Sequence, residues 1–271
     1  MSRQALIDHW SVFRPNSFAD GKRTGIHRAD VDVLLRRRND SHVRDDPALP
    51  AEAVLEFEDR RARIQCCLLP QPFVGNLEAP VVICLLNPGF DPGDYSLEAE
   101  GSEFRRRKLK TLRQDFDGFD FPFFHLDPLF AGSSAFRWWS GVLGPAIHVV
   151  ASEARVDYVT ASKAVSHIVA AVEIVPYHSR TAKHVSHTMT RDLPSSRLAR
   201  EFVAEIAGDG RRTIIVSRAA GGWDLRNVVG RSNVLLASES SYRTVSLTPR
   251  RPAGRAIVDA ATAWLATSDN R

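Results

Sequence analysis

The stretch VVICLLNPGF, Val81 to Phe90, decides the fold. Six consecutive apolar residues are too few for a free-standing helix and match a strand buried on both faces, the kind found in parallel sheets. Asn87-Pro88-Gly89 then stops the strand, because Asn-Pro and Pro-Gly favour turns. In the continuation FDPGD, Gly89 and Gly93 permit conformations that aim backbone N–H groups at a ligand, and the Asn87 amide offers both a donor and an acceptor. An ordinary turn is the plainer reading of the same residues.

Three further segments have the same continuous apolar character: Phe121–Leu126 (FPFFHL), Ala170–Val175 (AAVEIV) and Thr213–Ser217 (TIIVS), with a shorter one at Thr244–Leu247. Helical spacing lies between them. Phe136, Trp139, Leu143 and Ile147 fall on one face, as do Leu198, Phe202 and Ile206 after Asp192 and Pro194. Ile257, Ala261, Trp264 and Leu265 give a closing helix after Pro252. Alternating strands and helices predict an α/β fold around a mostly parallel sheet of four to five strands. Residues 1–70 are charged, strand-poor and arginine-rich (LLRRRNDSHVRDD) and read as a mainly helical extension; residues 71–271 read as the α/β domain.

Composition narrows the function. At 44% apolar and 25% charged residues the chain is an ordinary globular one. It has no apolar run near the roughly 18 residues of a membrane span. The start, MSRQALIDHWSVF, lacks the apolar core of a signal peptide, so a cytoplasmic location is expected. Cys66, Cys67 and Cys84 supply neither a disulfide framework nor the ligands of a metal cluster. A net charge of +4 and a pI near 9.2 suit an anionic partner such as nucleic acid.

In α/β sheets ligands bind beyond the carboxyl ends of the strands. Asn87-Pro88-Gly89 lies at one such end. Another carries Glu173, a carboxylate within an apolar strand, on the same face as Ala171 and Val175. It either meets water or is buried for a purpose, since uncompensated burial is expensive. Tyr177 and His178 follow, where they can stack on or hydrogen-bond a ligand. A third end delivers Thr248-Pro249-Arg250-Arg251, with Arg255 beyond, suited to phosphates or to insertion into a duplex. The basic run Phe104–Arg113 (FRRRKLKTLR) reads either as a phosphate grip or as a solvated face. His184 and His187, with His178 near, lack a carboxylate at ligand spacing, so no metal site is expected.

Taken together, these ends resemble the uracil-DNA glycosylase superfamily over roughly residues 75–265, most nearly its single-strand-selective monofunctional type, whose first motif also carries Asn-Pro-Gly. Glu173, three residues before Pro176, stands where that family has a base-reading Asn. Leu247-Thr248-Pro249-Arg250-Arg251 stands where it has a His-Pro-Ser-Pro-Arg type loop. The resemblance implies a three-layer α/β/α fold, a DNA partner, no cofactor and a monomer. It assigns catalysis to Asn87 and Asp91, with Asp94 as a second candidate base. It assigns base binding to Gly89, Phe90, Glu173, Tyr177 and His178, and DNA binding to Thr248, Arg250, Arg251 and Arg255. Two departures shape the substrate. The leaving-base His is replaced by Leu247 or Thr248. Glu173 as a carboxylate can only accept hydrogen bonds, which disfavours uracil O4 and favours an exocyclic amine such as cytosine N4. The expectation is therefore a glycosylase acting on a modified cytosine or another amine-bearing base, in base-excision repair or in defence against phages with modified DNA. One rival is a non-catalytic module binding single-stranded or modified nucleic acid. A second, a small-molecule hydrolase or transferase, is disfavoured because neither Gly-Lys-Ser/Thr nor Gly-X-Ser-X-Gly is present.

Overall fold

The computed structural model describes residues 2–17, 23–36, 43–44, 64–65, 67–180, 185, 187–217, 221–225, 231–237 and 247–268. Contacts divide the chain into two compact units. The first comprises Met1–Pro72, Leu86–Arg113 and Glu173–Phe202; the second comprises Phe73–Leu85, Gln114–Val172 and Val203–Arg271.

The second unit is built on a sheet of five strands: β1 (Phe73–Val74), β2 (Val81–Leu85), β3 (Val169–Glu173), β4 (Thr213–Val216) and β5 (Val234–Leu236), in the order β1-β3-β2-β4-β5. β4 runs parallel to β2, with Val81 beside Thr213 and Cys84 beside Val216. β5 runs parallel to β4, and β1 is antiparallel to β3. Every residue of β2 and β3 is buried, which is why these strands carry no polar alternation.

Three long helices of this unit pack on one another: α5 (Ser134–Ala154), α6 (Tyr158–Ile168) and α9 (Pro252–Ser268). Ser133 caps α5 by accepting from Phe136 N, and Asp157 caps α6 by accepting from Thr160 N. His167 of α6 lies flat on Trp264 of α9 at 4.6 Å. Two glycines make close approaches that no other residue would permit. A Cβ on Gly75 (φ +83°) would sit 2.6 Å from Val169 O, and one on Gly254 would sit 2.2 Å from Thr248 O.

FPFFHL is not a strand. Phe124–Leu126 forms a 3-10 turn, and all of Phe121–Leu126 is buried without pairing in the sheet. Pro122 removes a backbone donor that a ladder would need. Asp127 begins the next 3-10 turn by accepting from Leu129 N. The apolar run reflects burial on all sides rather than extension. Of Thr244–Leu247, residues 244–246 lie outside the described residues. Leu247 is buried, outside any strand, and its N–H donates to Val142 O at 3.3 Å.

The first unit carries α1 (Ser2–Ser11), α2 (Val31–Arg36), α3 (Asp94–Leu97), α4 (Glu103–Leu112), α7 (His187–Asp192) and the start of α8 (Pro194–Asp209). A 3-10 turn, Arg28–Asp30, precedes α2. Most of LLRRRNDSHVRDD lies outside the described residues. Among the described residues no helix is long and apolar enough to cross a membrane.

Candidate functional site

Asn87 stands one residue past Leu86, whose carbonyl accepts from Val175 N at 2.9 Å. Farther along, Pro88 O accepts from Ser179 N at 3.1 Å, so both segments advance in the same direction, as parallel neighbours do. The Asn87 side chain closes this junction. Its Nδ2 donates to Ser179 Oγ at 2.8 Å, to Pro88 O at 3.0 Å and to Tyr177 O at 3.3 Å. Two of these acceptors are carbonyls, which cannot donate, so the amide is oriented unambiguously. Its Oδ1 accepts no hydrogen bond among the described residues, and the half-buried side chain leaves that oxygen for a ligand or water.

The bond to Leu86 sets Val175 beside Asn87. By strand alternation, Glu173 falls on the same side as Asn87, two residues earlier. Glu173 is buried at 5% exposure, and its N–H donates to Pro72 O.

Tyr177 and His178 are buried as well, and each is built into a polar cluster. Tyr177 Oη donates to Asp30 Oδ2 at 2.6 Å and accepts from His27 N at 3.1 Å. Asp30, fully enclosed, also accepts from Ser195 N and from Ser195 Oγ at 2.5 Å. Burial raises the Asp30 pKa, opposed by the hydrogen bonds from Ser195 and Tyr177. Tyr177 therefore ties the N-terminal turn to the strand end rather than presenting a face for stacking.

His178 Nδ1 donates to Gly89 O at 2.7 Å, and its Nε2 accepts from Lys108 Nζ at 3.0 Å. An ammonium can only donate, so the imidazole is neutral with its proton on Nδ1. Lys108 Nζ also donates to Leu69 O and forms a buried ion pair with Glu98 Oε1, while Glu98 Oε2 accepts from Leu69 N at 2.7 Å. The Asn-Pro-Gly turn is thus held from beneath by a chain of groups ending in a buried salt bridge. Lys108 belongs to the basic run of α4, where Arg107 is buried too, so that helix is not simply a solvated charged face.

On the outer side, Gly89 is exposed, and a Cβ added there would meet nothing within 4 Å. Its φ is not positive, so the turn itself does not demand glycine. Phe90 is half-buried and meets Tyr95 edge-on at 5.7 Å. Asp91 Oδ1 accepts from Gly93 N at 2.9 Å in a local turn, and Asp91 N donates to Asp94 Oδ2 at 2.8 Å. Asp94 is buried as the start of α3, whereas Asp91 is half-buried.

The remaining sequence-predicted residues lie in the second unit. Thr248 is half-buried and Arg250 and Arg251 are exposed. Arg255 pairs with Glu153 at 2.8 Å and with Asp259 at 2.7 Å on the surface. His184 and Cys66 lie outside the described residues. Among the described residues no group of three His, Cys, Asp or Glu side chains is arranged to hold a metal ion.

No protein family, no curated protein and no solved structure matches this chain. The site is therefore read from its own geometry. Its first unit joins Asn87, Gly89, Phe90, Asp91 and Glu173, with Tyr177 and His178 as supports. Sequence reading missed Ser179, Lys108, Glu98, Asp30 and Ser195. Ser179 sits in the same PYHSR that supplied Tyr177 and His178, and Ser195 in DLPSSR. Lys108 and Glu98 carry no local signal, because their partnership spans ten residues and a loop.

Proposed function

We propose that this chain is a monofunctional DNA glycosylase that hydrolyses the N-glycosidic bond of a base flipped out of the stack. A modified cytosine or another amine-bearing base is its substrate in preference to uracil. The observation that carries this reading is the Asn87 carboxamide: its donor end is pinned by three acceptors and its Oδ1 is left open at the tip of a buried strand. Glycosidic cleavage passes through an oxocarbenium-like sugar, so an oxygen fixed in place can orient the attacking water and stabilise the developing positive charge. An amide rather than a carboxylate suffices when the departing base is the main driver.

In this mechanism DNA binds with its target nucleotide extruded, at a cost of a few kcal/mol. Phe90 stacks on the base, which contributes ~1–3 kcal/mol. Glu173, on the Asn87 side of its strand, accepts from the exocyclic amine. The bond from the sugar C1′ to the base nitrogen breaks and its electron pair leaves with the base. Backbone N–H groups near Gly89 and Phe90 support that charge. Water held by Asn87 adds to C1′, and its proton passes to the Asp91 oxygen not engaged by Gly93. Thr248, Arg250 and Arg251 meet DNA phosphates. The three-layer glycosylase-like arrangement and the two biological settings, repair and defence against phages with modified DNA, belong to this reading.

One observation favours a second reading, a non-catalytic module for single-stranded or modified nucleic acid. Of Leu247 and Thr248, the two residues that can stand at the position of the leaving-base histidine, Leu247 is apolar and buried. The two readings separate on base release from defined DNAs, measured by mass spectrometry: the module binds every base it recognises and releases none.

A further inference from the structure

At the end of α1 the chain turns and forms a cleft of about 220 Å³ lined by Val12, Phe13, Arg14, His27 and Arg28. Its volume equals that of about seven waters at ~30 Å³ each. The floor is apolar: Phe13 is buried, and Val12 is 56% exposed. The walls are cationic. Arg14 is anchored by Nη1, which donates to Ser11 O and Phe13 O, both at 2.9 Å, and its other donors make no hydrogen bond among the described residues. Arg28 is exposed, and its side chain makes no hydrogen bond or ion pair among the described residues. Among the described residues no carboxylate lines the cleft. The nearby Asp30 is fully enclosed and occupied by Tyr177 and Ser195.

His27 makes the cleft rigid rather than charged. Its Nδ1 accepts from Ala29 N at 3.2 Å, so Nε2 carries the proton and donates to His9 O at 3.0 Å. The His9 and His27 rings stack at 3.8 Å, with Trp10 and Phe13 against them. Burial lowers the pKa of both imidazoles, so at neutral pH the positive charge comes from the two guanidinium groups.

Two guanidinium forks with no anion beside them among the described residues match the three oxygens of a phosphate dianion; a carboxylate would occupy only one fork. The cleft holds more than a bare phosphate, and its floor is apolar. From this we infer that the cleft between α1 and the Arg28–Asp30 turn binds a phosphate monoester, its phosphate between Arg14 and Arg28 and its organic part over Val12 and Phe13. This site is separate from Asn87 and stands whether or not the chain releases bases. The ester is either the 5′-phosphate end of a nucleic-acid strand or a free nucleoside monophosphate.

Titration calorimetry on the full chain in phosphate-free, low-salt buffer tests this. The probes are inorganic phosphate, deoxycytidine 5′-monophosphate, and one tetranucleotide with either a 5′-phosphate or a 5′-hydroxyl. The phosphorylated tetranucleotide or the monophosphate is expected to bind at least tenfold tighter than the 5′-hydroxyl strand. Arg28→Ala is expected to lower that affinity at least tenfold with an unchanged melting temperature, because the Arg28 side chain has no partner to lose among the described residues. Arg14→Ala should weaken binding in the same direction, and Asn87→Ala should leave it intact. Tighter binding of the tetranucleotide assigns a strand end, and tighter binding of the monophosphate assigns a free nucleotide; both uphold the site. Equal binding of the two strands together with no binding of the monophosphate, or an affinity untouched by Arg28→Ala, overturns it. Inorganic phosphate bound as tightly as the esters overturns the role of Val12 and Phe13.

Discussion

Ser179 contributes a single hydroxyl to the candidate site, yet that hydroxyl takes the shortest of the three hydrogen bonds from Asn87 Nδ2. Removing it leaves the amide with two carbonyl acceptors and room to rotate. Ser179→Ala is expected to lower base release by ten- to a hundredfold while DNA binding stays within a few-fold. Its stability should fall by only about 1 kcal/mol, the net worth of one hydrogen bond. Single-turnover release and a binding titration on the same variant check this. Gly89 gives the complementary case. A Cβ there has open space, so Gly89→Ala should melt with the native protein and lose activity only if a ligand approaches that surface. A crowded glycine behaves differently. Gly254→Ala must push the new methyl into Thr248 O, and overpacking of this kind costs about 1–3 kcal/mol. A urea titration of the two variants separates a glycine kept for a ligand from one kept for the fold.

Between elements, the buried Glu98–Lys108 pair joins the segment after α3 to α4 and, through His178, to the Asn-Pro-Gly turn. Lys108→Met leaves the Glu98 carboxylate enclosed and uncompensated, which is expected to cost about 3–5 kcal/mol. Adding Glu98→Gln removes the stranded charge while keeping an acceptor for Leu69 N, and should restore most of that loss in a denaturant titration. The packing of α1 against the turn at His27 predicts a pH dependence. Burial, reinforced by neighbouring His27, lowers the His9 pKa from 6.5 to about 4 in the folded protein. The folded state thus resists a proton that the unfolded state accepts. The stabilisation is fully present above pH 6.5 and is lost as pH falls towards 4. Melting temperature should drop across that window, and His9→Gln should flatten the slope.

The same elements show how much the sequence discloses. β2, β3 and β4 were legible because strands buried on both faces read as unbroken apolar runs. FPFFHL had the same composition but is a buried 3-10 turn, since a run of apolar residues reports burial and not pairing. β1 and β5 are two and three residues long, too short for any periodicity. The face of α6 is built largely from small residues, Ala161 and Ala164 beside Val165 and Ile168, and gives only a weak signal. At the site, Asn87 was legible from its turn. The roles of Tyr177 and His178 were not, because what they touch (Asp30 and Lys108) is settled only by tertiary packing.

For the whole molecule, the charge of +4 bears on a nucleic-acid partner through salt. Each phosphate contact made by a basic side chain steepens the fall of log K with log salt by about 0.7 for a single strand and 0.9 for a duplex. Arg250 and Arg251 are exposed, whereas Arg255 is already paired with Glu153 and Asp259. If the first two meet phosphates, alanine at either position should flatten the salt dependence of DNA binding by nearly one such increment, and Arg255→Ala by less. Binding that does not respond to salt would point away from nucleic acid.

Base release tests the central claim most directly. The purified chain is incubated with DNAs carrying uracil, cytosine, hydroxymethylated or glucosylated cytosine, and deaminated or alkylated purines, and free bases are identified by mass spectrometry. Release of one amine-bearing base is expected, abolished by Asn87→Ala. Release of uracil alone would contradict the role given to Glu173, and release of no base from any DNA would contradict the glycosylase itself.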